Sequence, residues 1–450
     1  ADELGKCGLQ YANTAKPTAA VLPDGRNFIL TTSRENNLEA LRRKPRMQAR
    51  AYARAMADIE DNAEFIFGLL SKDPRTWGAA RLMLRALKQG GLRRLWKFSG
   101  TAMGSCRKWL DEDFDGEVAA CLAPWILHAG LGPEDTFSSL MGKLVAFTLE
   151  QAGMPVVKGG SANLVKAFVR LIENHGGMVL TGQHVDRVLL RKKTAYGVAT
   201  IDGTEWLARK GVICNVTPTQ LYGALLAGAE ISDELRQQYE GYRYGNGCMQ
   251  IHLALDRAPK WKDGALDDVA IVHMTPGLDG VAKAVGEARR GLLPETATVV
   301  VGQPTAVDPT RAPDGKAILW LQLQEVPFHV RGDAAGTIPI PANGMWSDAL
   351  KNAYADRIVE RLARHIPGLQ DTILGRAVLS PLDLSQSNIN LVRGDPYSGA
   401  CSIDQFFAWR PMSATPNHKT PFKKLYHIGA STHPGPGLAG TSGFIVSRYF

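Results

Sequence analysis

Over residues 1–32 apolar and polar positions follow the short period of β-strands paired about a tight turn at Pro23-Asp24-Gly25, with Phe28, Ile29 and Leu30 continuing the second strand. The period then lengthens. From Leu38 to Leu70 apolar residues recur at helical spacing with few breakers, and helical character persists to about Glu150, interrupted at Pro74, Gly90-Gly91 and Pro124. Lys158-Gly159-Gly160-Ser161 leads into a further helical run, Ala162 to Asn174, with Leu164, Phe168 and Leu171 marking one face. His175-Gly176-Gly177 ends that run as a C-cap. Short strands are expected at 178–180, 185–190 and 195–201, and the apolar run 211–216 is of buried-strand type.

From Tyr242 to about Gln386 the pattern is mostly β. Segments 248–255, 269–274, 296–302 and 317–325 are β-branched or alternating, and helices are expected near 280–290 and 347–364. This predicts a large sheet with flanking helices, set between glycine-turn segments of α/β construction. No internal repeat and no low-complexity linker interrupts the chain.

Composition narrows the class. With 450 residues, 45% of them hydrophobic, the chain is long enough to bury a large core, most simply as two interleaved domains. The six cysteines, Cys7, Cys106, Cys121, Cys214, Cys248 and Cys401, show no C-x-x-C and no regular spacing, which argues against a disulfide framework or a zinc site and fits a reducing compartment. No run reaches the roughly 18 to 20 apolar residues of a membrane span, and the first residues lack the features of a signal peptide. The expected location is the cytoplasm or an organelle interior, without secretion. The chain also opens without Met, inside what reads as ordered structure, so an upstream piece is expected to be missing.

The net charge of +8 is concentrated. Between Pro74 and Leu110 there is no acidic residue, while Arg75, Arg81, Arg85, Lys88, Arg93, Arg94, Lys97, Arg107 and Lys108 alternate with Trp77, Leu84, Leu92, Trp96 and other apolar side chains. Arg81, Arg85 and Lys88 share one helical face. The pattern suits either an interfacial helix on an anionic membrane, through residues 75–109, or an ordinary surface helix with a solvated basic face. No nucleic-acid-binding motif accompanies it.

The most specific motif is the last one. Leu425-Tyr-His-Ile-Gly-Ala-Ser-Thr-His-Pro-Gly-Pro-Gly-Leu-Ala-Gly440 reads as a strand, a glycine-rich turn, then the start of a helix. Glycines at 435, 437 and 440 satisfy G-x-G-x-x-G and leave the backbone open to a ligand. The chain nevertheless ends too soon for a dinucleotide-binding βαβ unit to follow.

Taken in order, Gly159-Gly160 before a helix, Gly176-Gly177-Met-Val-Leu with Val185 beyond it, Val212-Ile-Cys-Asn-Val-Thr-Pro218, and the terminal glycine segment resemble the phytoene desaturase-like FAD oxidoreductases. Ser402-Ile-Asp-Gln405 with Trp409-Arg-Pro411 is more similar to the branch containing pyridine nucleotide-disulphide oxidoreductase domain-containing protein 2 than to the true carotenoid desaturases. The resemblance implies an α/β fold: a split Rossmann-like FAD-binding domain interleaved with a mixed-sheet and helical substrate domain of the amine oxidase and phytoene desaturase type. On that basis residues 1–150 are a substrate or cap region, 151–230 part of the FAD domain, 231–395 the substrate domain and 396–450 the C-terminal FAD part.

Carried over residue by residue, the resemblance implies that the Val185 main chain meets the adenine end of FAD and that Asn215 belongs to the cofactor-binding set. Gly429 and Ala430 would lie by the pyrophosphate and ribityl chain, with Gly437, Leu438, Ala439 and Gly440 along the flavin edge. His433, Gln405 and Arg410 are the candidates for catalysis; each has a structural alternative, His433 as a turn cap and Arg410 in an ion pair. His128 is expected either to roof the substrate cavity or to be a core histidine. The family's N-terminal strand, G-x-G-x-x-G turn and acidic residue are not in this sequence. That leaves two readings, a truncated chain or a form unable to hold FAD tightly by itself.

The implied activity is FAD-dependent hydride transfer between flavin N5 and a lipophilic substrate of isoprenoid or carotenoid type. An amine-oxidase-like flavoenzyme and a non-catalytic membrane- or partner-binding member are the alternatives. No motif for a metal, a P-loop or a nucleophile elbow is present.

Overall fold

The computed structural model describes residues 2–45, 47–415, 417–437 and 440–450; the side chains of Gln89 and Arg94 are also outside the description. The chain forms two compact units. One comprises Ala1–Ile59, Met103–Val179 and Asn246–Leu384, the other Glu60–Ala102, Leu180–Gly245 and Ser385–Phe450.

This division differs from the blocks expected from sequence at residues 60–102, 151–179, 231–245 and 385–395, and for the two longer stretches the reason is visible in the hydrogen bonds. Residues 151–179 join the first unit because Tyr11–Ala12 pairs with Val156–Val157, and the Gly159 N–H donates to Asp308 Oδ2 at 2.7 Å. Residues 60–102 join the second because the turn after Leu70 is hydrogen-bonded to the C-terminal segment.

The first unit is built on a seven-stranded sheet in the order Ile373–Leu379, Gly247–Leu255, Ala317–Val326, Val299–Gly302, Ile271–Met274, Thr18–Val21 and Asn27–Leu30. All neighbours are antiparallel except Ile271–Met274 with Thr18–Val21. The two N-terminal strands form the hairpin that Pro23-Asp24-Gly25 predicts, with Gly25 at φ 88 in the left-handed region.

Strand alternation divides the sheet into two faces. Met249, Ile251, Leu253, Leu319, Leu321, Leu323, Val299 and Val301 form one core, covered by Leu350, Tyr354, Ile358 and Leu362 of helix Asp348–Ala363. On the other face, Ala20, Ile271 and Val300 pack against helices Arg34–Arg42, Cys106–Asp113, Gly116–Leu122 and Ser138–Ala152. Farther along that same face the positions turn polar, at Gln250, His252 and Gln322.

The helix Ala162–Asn174 forms where expected, but its buried stripe is Leu164, Ala167 and Leu171, against Cys7 and Leu9. Phe168, expected on that stripe, is exposed with Val165 and Ile172. The strand expected at 178–180 is not formed. Those residues have no strand partner among the described residues, and Met178 is 76% exposed.

The second unit holds an antiparallel three-stranded sheet, Val185–Arg191, Thr194–Thr200 and Glu205–Leu207, and a parallel pair, Val212–Asn215 with Leu425–Ile428. Sequence suggested that 211–216 is wholly buried. Instead Val212 and Cys214 face the core while Ile213 and Asn215 are exposed, because only one face of the pair is covered. Helix Trp77–Ala102 is broken at Gly91, where φ 70 and ψ 170 leave the helical region, as Gly90-Gly91 predicts.

Among the described residues no helix is long and apolar enough to cross a membrane, and no group of three or more His, Cys, Asp or Glu is placed to hold a metal ion. All six cysteines are buried free thiols.

Candidate functional site

The parallel pair carries the site. Val212 to Asn215 runs in register with Leu425 to Ile428, so the ends of both strands deliver Asn215 and Gly429 side by side. Only glycine fits there: φ is 104, and a Cβ at 429 would lie 2.1 Å from Asn215 Oδ1. The Gly429 N–H donates to Ser442 Oγ at 3.1 Å, and its carbonyl accepts from the Thr432 N–H at 3.1 Å and from Thr432 Oγ1 at 2.9 Å. Strand, turn and terminal helix are thereby locked through one residue.

Beyond this knot the chain opens. At Gly437 and Gly440 a Cβ would meet nothing within 4 Å, so both backbones border open space. Gly440, at φ 65, caps the seven-residue helix Thr441–Ser447. Leu438 and Ala439, expected along the flavin edge, lie outside the described residues. Ala430 follows Gly429, and its carbonyl accepts from Arg410 Nε at 2.8 Å.

Two buried polar atoms of the turn have no partner among the described residues, Ser431 Oγ and His433 Nδ1. Buried polar groups are ordinarily satisfied, so these atoms fit a bound group that brings its own donors and acceptors. His433 is fully buried; its Nε2 lies 3.1 Å from the Leu69 carbonyl, and Phe407 meets the ring edge-on at 5.2 Å. Burial lowers its pKa to about 4, so the ring is neutral at pH 7, with Nε2–H donating to Leu69 and the Nδ1 lone pair left open.

Gln405 and Arg410 are occupied differently from what catalysis would ask. Gln405 accepts the Arg243 N–H at 3.1 Å and returns Nε2–H to the Arg243 carbonyl at 2.8 Å, in the manner of a neighbouring strand. Arg410 is wholly buried and donates to the carbonyls of Ala430, Ala400, Tyr397 and Gly399, with Phe406 beneath its guanidinium at 5.5 Å. Both side chains spend their hydrogen bonds on backbone, so they shape the walls of the turn. In place of the ion pair considered for Arg410, the structure has this carbonyl cradle. Trp409 is 51% exposed.

Val185 opens the first strand of the three-stranded sheet, paired with Thr200, and so belongs to a different element from Asn215 and Gly429.

Several contributors escaped the sequence reading. Asp395 is buried and accepts the N–H groups of Gly245, Tyr397 and Gly399, while burial raises its pKa. Asn390 accepts the Thr217 N–H at 3.0 Å, holding the end of the Val212-to-Pro218 segment. Asp73 accepts from Asn417 Nδ2 and from the Tyr449 hydroxyl. The only signal for these was their residue type in turn-rich sequence, since each partner is distant along the chain.

In the first unit, considered by itself, the polar face of the sheet forms a second cluster. Gln250 and Gln322 both donate to Cys248 Sγ at 3.2 Å, and Trp320 Nε1 donates to Gln250 Oε1. His128 and His273 share a hydrogen bond, Nε2 to Nε2 at 3.1 Å, with Trp125 against both rings. Burial lowers the pKa of His128 to about 4 and that of His273 well below the usual value, so both are neutral. His128 is thus a partly buried histidine paired with His273, a partner that could not be read from sequence.

No family model matches the chain. It is similar to the rat protein called pyridine nucleotide-disulfide oxidoreductase domain-containing protein 2, at 24% identity over 400 residues covering 85% of this chain and 66% of that protein. It is also similar to the lycopene-forming phytoene desaturase of a Paracoccus species, at 28% identity over 295 residues covering 65% of this chain and 54% of that enzyme. The chain therefore spans just under two-thirds of the first relative's length and about half of the second's.

Among solved structures, an oxidoreductase from Methanosarcina mazei aligns at TM-score 0.57 and 15% identity, covering 99% of this chain and 83% of that one. A triple mutant of putrescine oxidase made to redesign cofactor binding aligns at TM-score 0.57 and 12% identity, covering 99% and 85%. The sequence resemblance to phytoene desaturase-like proteins holds, and the fold is the mixed α/β fold of amine-oxidase-like oxidoreductases.

Proposed function

We propose, from its likeness to phytoene desaturases and their relatives, that this chain belongs to an FAD-dependent oxidoreductase of the desaturase or dehydrogenase type acting on a lipophilic substrate. The observation that carries the reading is the turn after Ile428, where Gly429 is clamped against Asn215 while Gly437 and Gly440 leave the backbone open. A cofactor edge can approach main-chain N–H groups there without meeting a side chain.

When bound, FAD supplies a hydride acceptor or donor at N5, so the protein needs to position and shield the reactants and has no need of a nucleophile. Asn215, Gly429, Ala430, Gly437 and Gly440 are the residues of this turn that would hold it; Leu438 and Ala439 belong to the same segment. Arg410, Gln405 and Asp395 fix the surrounding loops through backbone hydrogen bonds, which keeps the turn from collapsing into the open space. His433 offers a neutral Nδ1 able to accept a proton. Its Nε2 contact with the Leu69 carbonyl fixes the ring's tautomer and orientation.

A second reading has one observation in its favour. The chain shares its fold with putrescine oxidase, which suits an amine-oxidase-like reaction.

The test is direct. Protein purified without added cofactor should release FAD on denaturation, near one per chain, and anaerobic addition of an isoprenoid alkene should change the flavin spectrum. Bleaching by simple amines but not by alkenes would transfer the assignment to the second reading. Protein devoid of flavin and unable to take it up would overturn both.

A further inference from the structure

We propose that helix Trp77–Ala102 is a docking surface for an anionic phospholipid bilayer. Gly91 breaks the helix into two arms, and each arm is anchored on its inner side. Ala79 and Leu82 of the first arm are buried, with Leu82 seated over Gly68, where a Cβ would come within 2.8 Å of it. Phe98 of the second arm meets Phe65 edge-on at 5.8 Å.

The outer side remains apolar where a protein surface ordinarily is not. Trp77 is 81% exposed, Trp96 79%, Leu92 70% and Leu84 54%. Single exposed apolar residues need no explanation, but two on each arm of one helix, a tryptophan among each two, are more apolar exposure than water favours.

Their spacing orders them. Trp77, Arg81, Leu84 and Lys88 recur at intervals of three and four and so share one face of the first arm. In the second arm Leu92 and Trp96 form one stripe and Arg93 and Lys97 the adjoining stripe. Arg81, Lys88, Arg93 and Lys97 are exposed and no acidic residue lies between 74 and 110, while Arg85 lines a pocket on the inner side with Asp61 and Glu64. Exposed tryptophan and leucine flanked by exposed cations match the chemistry of an anionic headgroup layer over acyl chains, where tryptophan prefers the interface and basic side chains meet lipid phosphate.

The same unit ties this surface to the candidate site. The turn between residues 69 and 75 hydrogen-bonds to the C-terminal segment through Leu69 to His433, Asp73 to Asn417 and Tyr449, and Arg75 to the Ala408 carbonyl. A lipophilic substrate held in the bilayer would thus be presented beside the segment that carries the glycine turn. That consequence rests on the proposed function, whereas the membrane contact does not.

Flotation with vesicles of phosphatidylcholine alone and of phosphatidylcholine with phosphatidylglycerol tests the proposal. The protein should bind the anionic vesicles and not the neutral ones, with a blue shift of tryptophan emission. The triple variant Arg81→Glu, Arg93→Glu, Lys97→Glu should weaken binding by at least about tenfold. The double variant Trp77→Ser, Trp96→Ser, which leaves charge unchanged, should also weaken it by about tenfold. Circular dichroism and flavin content serve as controls on folding and on the cofactor reading. Failure of the wild-type protein to bind anionic vesicles, or binding by either variant equal to wild type, would overturn the proposal whatever the flavin content.

Discussion

The central sheet of the first unit and the glycine turn of the second place their information in different atoms. In the sheet, Leu321 is paired on both sides, packs between Leu319 and Leu323 along its strand, and is fully buried. The backbone there is generic and the side chains decide. In the turn the reverse holds, since Gly429, Gly437 and Gly440 matter for lacking side chains, and the surrounding Arg410 and Gln405 hold main chain with main-chain-like hydrogen bonds. A sheet of this kind fails by losing volume, and such a turn fails by gaining it.

The largest effect belongs to the sheet. Leu321→Ala removes a side chain from a packed core and should cost about 2–5 kcal/mol in chemical denaturation, without altering the flavin affinity of the protein that remains folded. Equal loss of flavin affinity would show that the two regions are not separable in this way. Next comes the carbonyl cradle. Arg410→Met leaves the carbonyls of Ala430, Ala400 and Tyr397 without a donor and should destabilise by about 3 kcal/mol or more; a cost under about 1 kcal/mol would mean that the loops do not depend on it.

The pH dependence sharpens the contrast. His128, His427 and His433 have pKa values lowered to about 4 by burial, and that of His273 lies well below normal. In the unfolded chain the same rings titrate near 6.5. As pH falls from 7 towards 4 the unfolded state therefore binds protons that the folded state refuses, and stability is lost through that window, by about 1–3 kcal/mol per ring. Glu325 opposes this: burial raises its pKa to about 7, so the folded state takes up a proton first and gains stability as pH falls. Asp395, whose pKa burial also raises, acts in the same direction as Glu325, but four rings outweigh two carboxyls, and equilibrium denaturation should show lower stability at pH 5 than at pH 7. An unchanged or higher stability at pH 5 would contradict the neutral, buried state of these histidines.

These regions were also unequally legible in the sequence. The hairpin about Asp24, the helix Ala162–Asn174 and the strands of the large sheet announce themselves by period, because their partners share a simple burial pattern. The turn after Leu425 was visible through its glycines. What those glycines face was not, because the Asn215 contact joins positions far apart in the chain. The same distance hid the Arg410 cradle and the His273 partner of His128, which local pattern cannot encode. Residues 178–180 read as a strand because Met-Val-Leu has the right composition, but a strand also needs a neighbour, and none is present among the described residues.

A smaller effect separates the two glycine roles. Gly429→Ala places a side chain at φ 104 and pushes the Asn215 amide aside, and it should lower both stability and flavin affinity. A variant that loses only one of the two would show that the clamp and the cofactor contact are independent.

The most direct measurement compares Gly440 with Gly315. Both have positive φ, 65 and 75, and both border open space, but Gly315 lies in a turn of the first unit. Gly440→Ala and Gly315→Ala should each cost about 1 kcal/mol of stability for the same backbone reason. In FAD titrations followed by flavin absorbance and fluorescence, Gly440→Ala should bind at least about tenfold more weakly than wild type, equivalent to about 1.4 kcal/mol, and Gly315→Ala should bind as wild type. Equal flavin affinity in both variants, or no flavin binding by the wild-type protein, would contradict the assignment of the glycine turn to the cofactor.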